Sequence, residues 1–467
     1  MKIEQSDIQL IIDKVMERLD NINVDTNSSD RIGVFDDPIE AIKAAKKAQK
    51  KLFRFTLQQK KDITDSIRKE LLEHVEEFAV EAVKETGMGR IEDKIEKNKA
   101  ALSQTPGVED LRAGVFTGDA GLTLLEMSPF GVIGAITPST NPTETVINNS
   151  IGMICAGNSV VFSPHPGAYK ITNRTVELIN KAIQKAGGPA NLVVTIDNPS
   201  MEKADVVLSH PDINMLVATG GPGVVKSVLS SGKKAIGAGA GNPPVVVDHT
   251  ADIEKAVDDI IMGASFDNNL PCTSEKEALV LDDVFEYFMF CMKDHQKTYV
   301  VEDKKIIEDI RKLVILENGN PNKNFTGKYA SYILDKVGIQ VDDSVRLIVM
   351  ETDFDHDFVQ EELMMPILPI VRVANRKEAL EKAILVEHGN RHTAICHSKD
   401  IDFLSAMAKE IQTTIFVKNA PSFAGIGIGG EGYTTFTIAG PTGEGLTSAS
   451  SFTRKRRCTL VEGFNIK

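Results

Sequence analysis

FGVIGAITPSTNPTE, residues 130–144, runs from an unbroken apolar stretch into a polar turn bracketed by prolines. Its first part, FGVIGAITP (130–138), predicts a strand ending at Pro138. Comparable strands follow at SVVFSPH (159–165), NLVVTID (191–197) and INMLVATGGPG (213–223), with helical patterns at 170–186 and 200–209 between them. This β-α-β-α alternation predicts an α/β fold with a parallel sheet, helices on both faces, and ligands bound at the carboxyl ends of the strands.

Working outward, a second block of the same style begins at PPVVVDHTADIEKAV (243–257), where Asp252 is placed to start a helix. It continues through EKEALVLDD (275–283), VRLIVMET (345–352), MPILPIVRVAN (365–375), a helix at 376–386, TAICHS (393–398) and TTIFVKN (413–419). The two blocks meet near Gly241-Asn242-Pro243, and residues 36–105 upstream read as helices with charged faces. AGVFTGDAGLTLLEMSPF (113–130) reads as two β stretches around a turn, and SFTRKRRCTLVEGF (451–464) as a late strand. Neither has a core of its own, so both predict pairing with a partner subunit.

At the start of the chain, Ile8, Ile11, Ile12, Val15 and Leu19 form one apolar stripe at helical spacing, with Ser6 or Asp7 as the cap. NINVDTNSSD (21–30) has the composition of a linker. A tethered amphipathic helix of this kind buries its face on its own body, on a neighbouring subunit, or on another protein.

The 467 residues, 42 % hydrophobic and 25 % charged, describe a globular protein of two or three domains. A net charge of −13 argues against nucleic acid as a partner, and the one basic cluster, Arg454-Lys455-Arg456-Arg457, reads as a strand edge with solvated charges. Five cysteines, at 155, 272, 291, 396 and 458, include no CxxC pair, which fits neither a disulfide framework nor a zinc knuckle and predicts a reducing cytoplasm. No secretory signal and no apolar run long enough to span a membrane is present.

Cys272, in FDNNLPCTSEKE (266–277), is the candidate covalent catalyst: a thiolate adds to a carbonyl carbon, and the amides of Asn268 and Asn269 can donate to the negative charge that develops. A small packed hydrophobe is the plainer reading of a lone cysteine. VATGGPGVVKSV (217–228) passes from a strand through Gly220, Gly221 and Gly223 into a helix, which suits a pyrophosphate or simply a tight turn. Asn141 in TPSTNPTE (137–144) can donate to an oxyanion or cap a helix. In EELMMPILPI (361–370), one carboxylate can accept from ribose hydroxyls or simply sit in solvent. His388 and His392 are spaced for a shared metal but lack an HExxH context, so polar pocket or surface roles are expected and no metal site is assigned.

Together and in this order, EMSPFGVIGAITPSTNPTET (126–145), KKAIGAGAGNPPVVVD (233–248), SFDNNLPC (265–272), ELMMPILPIVRV (362–373), TTIFVKNA (413–420) and TTFTIAGPTGEG (434–445) resemble the aldehyde dehydrogenase superfamily over residues 31–467. The likeness is greatest to its coenzyme A-acylating branch, the propionaldehyde, acetaldehyde and butyraldehyde dehydrogenases of bacterial microcompartments and fermentative pathways. The resemblance implies two Rossmann-type α/β domains plus a β oligomerisation arm. Residues 31–242 would bind the dinucleotide, with 113–130 in the arm; 243–432 would carry the nucleophile, and 433–467 would be a return segment and C-terminal oligomerisation strand. It also implies Cys272 as nucleophile and Asn141 as oxyanion donor, with Thr140 as the alternative. Thr137, Pro138, Ser163, Thr219, Gly220, Gly221, Gly239 and Glu362 would hold the cofactor, Glu362 at the nicotinamide ribose.

Two departures stand out. Hydrolytic members carry a glutamate base where this chain has Ala238, and no carboxylate occurs in residues 233–247. Water attacking a thioester on Cys272 would be poorly activated, whereas a thiol acceptor is intrinsically nucleophilic once deprotonated. Ser163 stands where many hydrolytic members place the lysine that binds the adenosine ribose, which leaves NADP as an alternative to NAD.

The expected reaction is therefore reversible CoA-dependent oxidation of a short aldehyde, propionaldehyde first among C2 to C4, to acyl-CoA, with His388 a candidate base for coenzyme A. A hydrolytic enzyme giving free acid and a catalytically silent shell-associated protein are the alternatives. A homodimer or homotetramer is expected, and the resemblance favours an encapsulation helix at residues 1–20 that docks to a microcompartment shell or to co-encapsulated enzymes.

Overall fold

Strands buried on both faces organise the computed structural model, which describes residues 31–466. Met1–Ile32 and Gly33–Lys467 separate as two units, and the expected N-terminal helix and linker lie outside the described residues. Within the second unit, six parallel strands form one sheet in the spatial order Val34–Phe35, Val193–Ile196, Ser159–Pro164, Val132–Thr137, Met215–Thr219, Lys234–Ala238. Alternate side chains of these strands enter opposite cores. Ile133, Ala135, Val160, Phe162, Val193 and Val217 pack with the helices Leu57–Leu72, Pro142–Cys155 and Tyr169–Lys185, while Val132, Val161, Val194, Leu216 and Ala218 pack on the other face with Ala41, Ile42 and Ala45. Both registers are apolar, which is why the sequence shows runs rather than alternation.

The chain enters this sheet's centre at Val132, builds outward through Ser159 and Val193, then returns to lay down Met215 on the opposite side of the first strand. This reversal opens a crevice between the carboxyl ends of Val132–Thr137 and Met215–Thr219. The strands Val34–Phe35 and Lys234–Ala238 were not foreseen. The first has two residues, and the second, KAIGA, reads as part of a glycine-rich run.

A second parallel sheet has seven strands in the order Thr298–Val300, Leu347–Glu351, Ile367–Val373, Glu277–Leu281, Pro244–Val247, Thr393–His397, Ile415–Lys418. It too is covered on both faces, by Ile260, Phe285 and Phe288 on one side and by Ala379, Ala383, Phe403 and Met407 on the other. The segment between the strands at 277 and 347 folds into the helices Asp282–Asp294, Lys304–Val314 and Ala330–Asp335, which the sequence reading left unassigned.

Gly114–Gly118, Gly121–Pro129 and Thr453–Val461 make an antiparallel three-stranded sheet, and Arg454 to Arg457 are exposed on its edge strand. Val115, Phe116, Leu460 and Val461 are also exposed there. Residues of the return segment, Phe436, Ala439 and Phe452, join the core of the first sheet. No helix among the described residues is long and apolar enough to cross a membrane.

Candidate functional site

Two loops at the crevice carry the candidate residues. The first follows strand Val132–Thr137 and brings Asn141 to the N-cap of helix Pro142–Cys155, where its side chain makes no capping bond. The capping alternative is therefore excluded. Instead, Oδ1 of Asn141 accepts from Lys97 Nζ at 2.6 Å, and its Nδ2 makes a 3.2 Å contact with Thr140 Oγ1. Fixing the oxygen on an ammonium fixes which end of the amide remains to donate.

The second loop is the segment before Cys272. Asp267, Asn268 and Asn269 all have left-handed backbones, with φ of 50°, 55° and 64°. Asx residues tolerate this conformation best, but three in succession need external support. Asp267 receives it from Arg90 N at 2.7 Å, Lys94 Nζ at 3.0 Å and Lys97 Nζ at 2.5 Å. Asn268 accepts from Arg90 Nε at 2.7 Å and donates to Gly327 O at 2.9 Å. Asn269 donates to Ala264 O at 2.8 Å and Glu275 O at 2.9 Å. The expectation that these two asparagine amides face the nucleophile is thus corrected: both are consumed in holding the loop.

Lys97 also lies 3.3 Å from Glu144 and so joins the Asn141 loop to the Cys272 loop, as Lys94 does by donating to Thr140 O at 3.1 Å and to Asp267. Burial disfavours the charge of Lys97, but Asp267 and Glu144 outweigh that and raise the Lys97 pKa above the ordinary lysine value.

Around Cys272, the amino ends of four strands of the second sheet converge. Gly241 precedes the strand at Pro244, Cys272 the one at Glu277, Glu362 the one at Ile367, and His392 the one at Thr393. Glu362 Oε1 accepts from Gly241 N at 3.3 Å. A Cβ on Gly241 would stand 2.8 Å from Cys272 O and 2.8 Å from His392 Cγ, so this glycine is the contact point between nucleophile loop and histidine. His392 is buried, with Nδ1 2.8 Å from Thr393 Oγ1 and Nε2 without a partner. His388, the histidine expected to serve, is exposed and bonded to Gln360 O at 3.0 Å. Sequence spacing cannot distinguish the two; only the packing at Gly241 does.

Burial sets the protonation pattern. It pushes the half-buried Cys272 thiol up to about 12, with Glu362 adding to the rise and Lys276 opposing it. It pushes Glu362 up to about 7. Burial and Lys276 push His392 down to about 4, which leaves a neutral imidazole near pH 7.

The remaining predicted residues occupy the carboxyl edge of the first sheet. Thr137, Ser163 and Thr219 end or nearly end adjacent strands, Pro138 follows Thr137, and Gly239 follows Ala238. Thr137 Oγ1 is buried without a partner, and Thr219 Oγ1 meets Thr437 Oγ1 at 2.9 Å. A Cβ at Gly220, Gly221 or Gly223 would meet nothing within 4 Å, so this turn and the following helix start, Pro222–Leu229, face open space. An orphaned hydroxyl, open backbone amides and a helix N-terminus fit a dinucleotide. Lys97 escapes sequence reading because its partners are 44 and 170 residues away, His392 because its approach to the Cys272 loop runs through Gly241, and Lys276 because a lysine in a polar segment gives no sign that it is buried.

A family model described as the aldehyde dehydrogenase family matches residues 35–311. The chain is 49 % identical over 436 residues to a propanal dehydrogenase (CoA-propanoylating) of Citrobacter freundii, covering 93 % of this chain and 94 % of the relative. It is 54 % identical to a solved propionaldehyde dehydrogenase of Rhodopseudomonas palustris with bound CoA and an acylated cysteine, with a TM-score of 0.91 over 93 % of this chain and 99 % of that one. A propionaldehyde dehydrogenase from the Clostridium phytofermentans fucose utilisation bacterial microcompartment is 51 % identical, with a TM-score of 0.92 over 93 % of this chain and 100 % of that one.

Gly241→Ala is expected to lower stability by about 1–3 kcal/mol through overpacking and to change the rate at which iodoacetamide alkylates Cys272. Unchanged thermal unfolding together with unchanged alkylation would contradict the packing described.

Proposed function

The chain belongs to the aldehyde dehydrogenase family, and on that premise we propose that it oxidises a short-chain aldehyde, propionaldehyde by preference, to acyl-CoA with NAD or NADP as the hydride acceptor. The observation that carries this reading is what lies near the thiol. Ala238 ends its strand where hydrolytic members hold a base, and no carboxylate occurs in residues 233–247. What faces the Cys272 loop instead is His392, a neutral imidazole with an unpaired nitrogen, beside Glu362, whose carboxyl is held on Gly241 N.

In this proposal the Cys272 thiolate adds to the aldehyde carbon, and the Asn141 amide with the backbone N–H at Cys272 stabilises the oxyanion. A nicotinamide held by the residues at the carboxyl edge of the first sheet would supply the acceptor for the hydride that leaves the thiohemiacetal carbon. A thioester remains on Cys272. Coenzyme A then gives its thiol proton to His392 Nε2, its sulfur attacks the thioester carbonyl, and the C–S bond to Cys272 breaks to return the thiolate. The reverse reduction uses the same groups. Thr137, Pro138, Ser163, Thr219, Gly220, Gly221 and Gly239 would line the dinucleotide, and Glu362 would accept from ribose hydroxyls.

Cys272→Ala is expected to abolish CoA-dependent NADH formation from propionaldehyde, followed by absorbance. Wild-type enzyme is expected to release free acid without CoA at least about tenfold more slowly than it makes acyl-CoA; equal rates would return the reading to a hydrolytic enzyme.

The carboxyl of Glu362, held up to about 7 by burial, is neutral below that pH and loses acceptor capacity. KM for NAD is therefore expected to rise as pH falls through about 7. Glu362→Gln should flatten that dependence; a profile as steep as wild type would place the titration elsewhere.

The exposed Val115, Phe116, Leu460 and Val461 support pairing of the three-stranded sheet with a second copy in a homodimer or homotetramer. Residues 1–20 are proposed to direct the enzyme from the cytoplasm into a bacterial microcompartment by docking to its shell or to co-encapsulated enzymes. Deleting them should preserve free enzyme activity while removing co-purification with shells; retained co-purification rules out this role.

A further inference from the structure

Lys276 follows Cys272 by four residues and is buried, with 3 % of its surface exposed. Its Nζ donates to Asn269 O at 3.0 Å, to Asn269 Oδ1 at 2.6 Å and to Pro271 O at 3.4 Å. All three acceptors are neutral, and all belong to the segment that ends in Cys272. Among the described residues, no carboxylate oxygen comes within ion-pairing distance of this ammonium. Lys94 and Lys97, by contrast, meet Asp267 at 3.0 Å and 2.5 Å.

The ionisable groups surrounding Lys276 and Cys272 are Glu362, Glu275, Glu277, His392 and Lys97. Glu275 is occupied by Ser422, whose N and Oγ donate to it at 2.8 Å and 2.7 Å. Glu362 accepts from Gly241 N, and Glu277 has no hydrogen-bond partner on either oxygen. Burial pushes all three carboxyls toward their neutral forms, so none supplies a firm negative charge opposite Lys276. Burial disfavours the Lys276 charge as well, opposed by Glu362, Cys272, Glu277 and Glu275, so an anion that forms beside the ammonium and the ammonium itself stabilise each other. The neighbouring group that must become an anion is Cys272.

We propose that Lys276 is a positioning residue for the nucleophile: it clamps the Cys272 loop through the three oxygens and supplies the fixed positive charge against which the Cys272 thiolate forms. This rests on the reading of Cys272 as nucleophile, since a packed, unreactive cysteine needs no counter-charge. The clamp and the charge are separable. Glutamine keeps a hydrogen-bond donor without charge, methionine keeps the stem alone, and arginine keeps the charge.

The test is the pH dependence of Cys272 alkylation by iodoacetamide in the full-length protein, with Cys272→Ala correcting for the other thiols. Lys276→Gln and Lys276→Met are expected to slow alkylation by about tenfold or more at each pH from about 7 to 9, the effect of raising the thiol by about one pH unit. Lys276→Arg should stay close to wild type. A folded Lys276→Gln with the wild-type profile overturns the proposal, and so does failure of both neutral variants to fold, which would make the ammonium structural only. Aldehyde, NAD and CoA are absent from this measurement. Its failure is therefore distinguishable from failure of the acylating reading, which is judged by acyl-CoA formation in the wild type.

Discussion

The two chemical loops are held in register by two buried ammoniums, Lys94, which donates to Thr140 O at 3.1 Å and to Asp267 at 3.0 Å, and Lys97. Lys97 contacts Asp267 at 2.5 Å, Asn141 Oδ1 at 2.6 Å and Glu144 at 3.3 Å, from a helix that belongs to neither loop. Removing four charged or polar groups from water costs several kcal/mol per ion, and only mutual pairing offsets it. The cluster is therefore poor as a source of stability but strong as a constraint. Moving Asn141 relative to Cys272 would separate Lys97 from one of its partners and expose an unpaired charge to a dry interior. The left-handed run Asp267–Asn269 can persist because this constraint, with Arg90 and Lys94, over-determines it.

The site joins unlike ends of two similar sheets. From the first sheet come the carboxyl ends of strands, where the chain reversal opens a crevice; from the second come the amino ends, where Gly241, Cys272, Glu362 and His392 gather. The second sheet has its own carboxyl-end reversal, between Pro244–Val247 and Thr393–His397. That place is filled: Arg376 reaches Asp248 at 2.7 Å and 2.8 Å and Asp400 at 2.7 Å. The general rule that open α/β sheets bind at carboxyl ends thus describes one half of this molecule and not the other.

This division explains what the sequence could and could not reveal. Strands with both faces buried announce themselves as apolar runs, so most of both sheets were legible, except the short edge strands Val34–Phe35 and Thr298–Val300 and the glycine-containing Lys234–Ala238. Cys272, Asn141 and Glu362 stood out through the motifs around them. The use of Asn268 and Asn269 was misread, because a side-chain amide beside a cysteine gives no indication of where its hydrogen bonds go. Lys97 was invisible for the opposite reason: its partners Asn141 and Asp267 are 44 and 170 residues away. The choice of His392 over His388 depended on a close approach at Gly241 that no spacing rule encodes.

The same burial that organises the site also limits its chemistry. A thiol pushed up to about 12 is a weak resting nucleophile, and the carboxyl pushed up to about 7 is engaged by Gly241 N. A carboxyl titrating near 7 has the strength a general base needs, so what weighs against water is placement: Glu362 is held on Gly241 N, and residues 233–247 put no carboxylate at the Ala238 position. An incoming thiol asks for less, because sulfur is intrinsically nucleophilic and a small thiolate fraction suffices. Under the proposed reaction, the burial around Cys272 and the missing carboxylate at Ala238 act in the same direction, both disfavouring water as the acceptor and leaving the acyl group to coenzyme A.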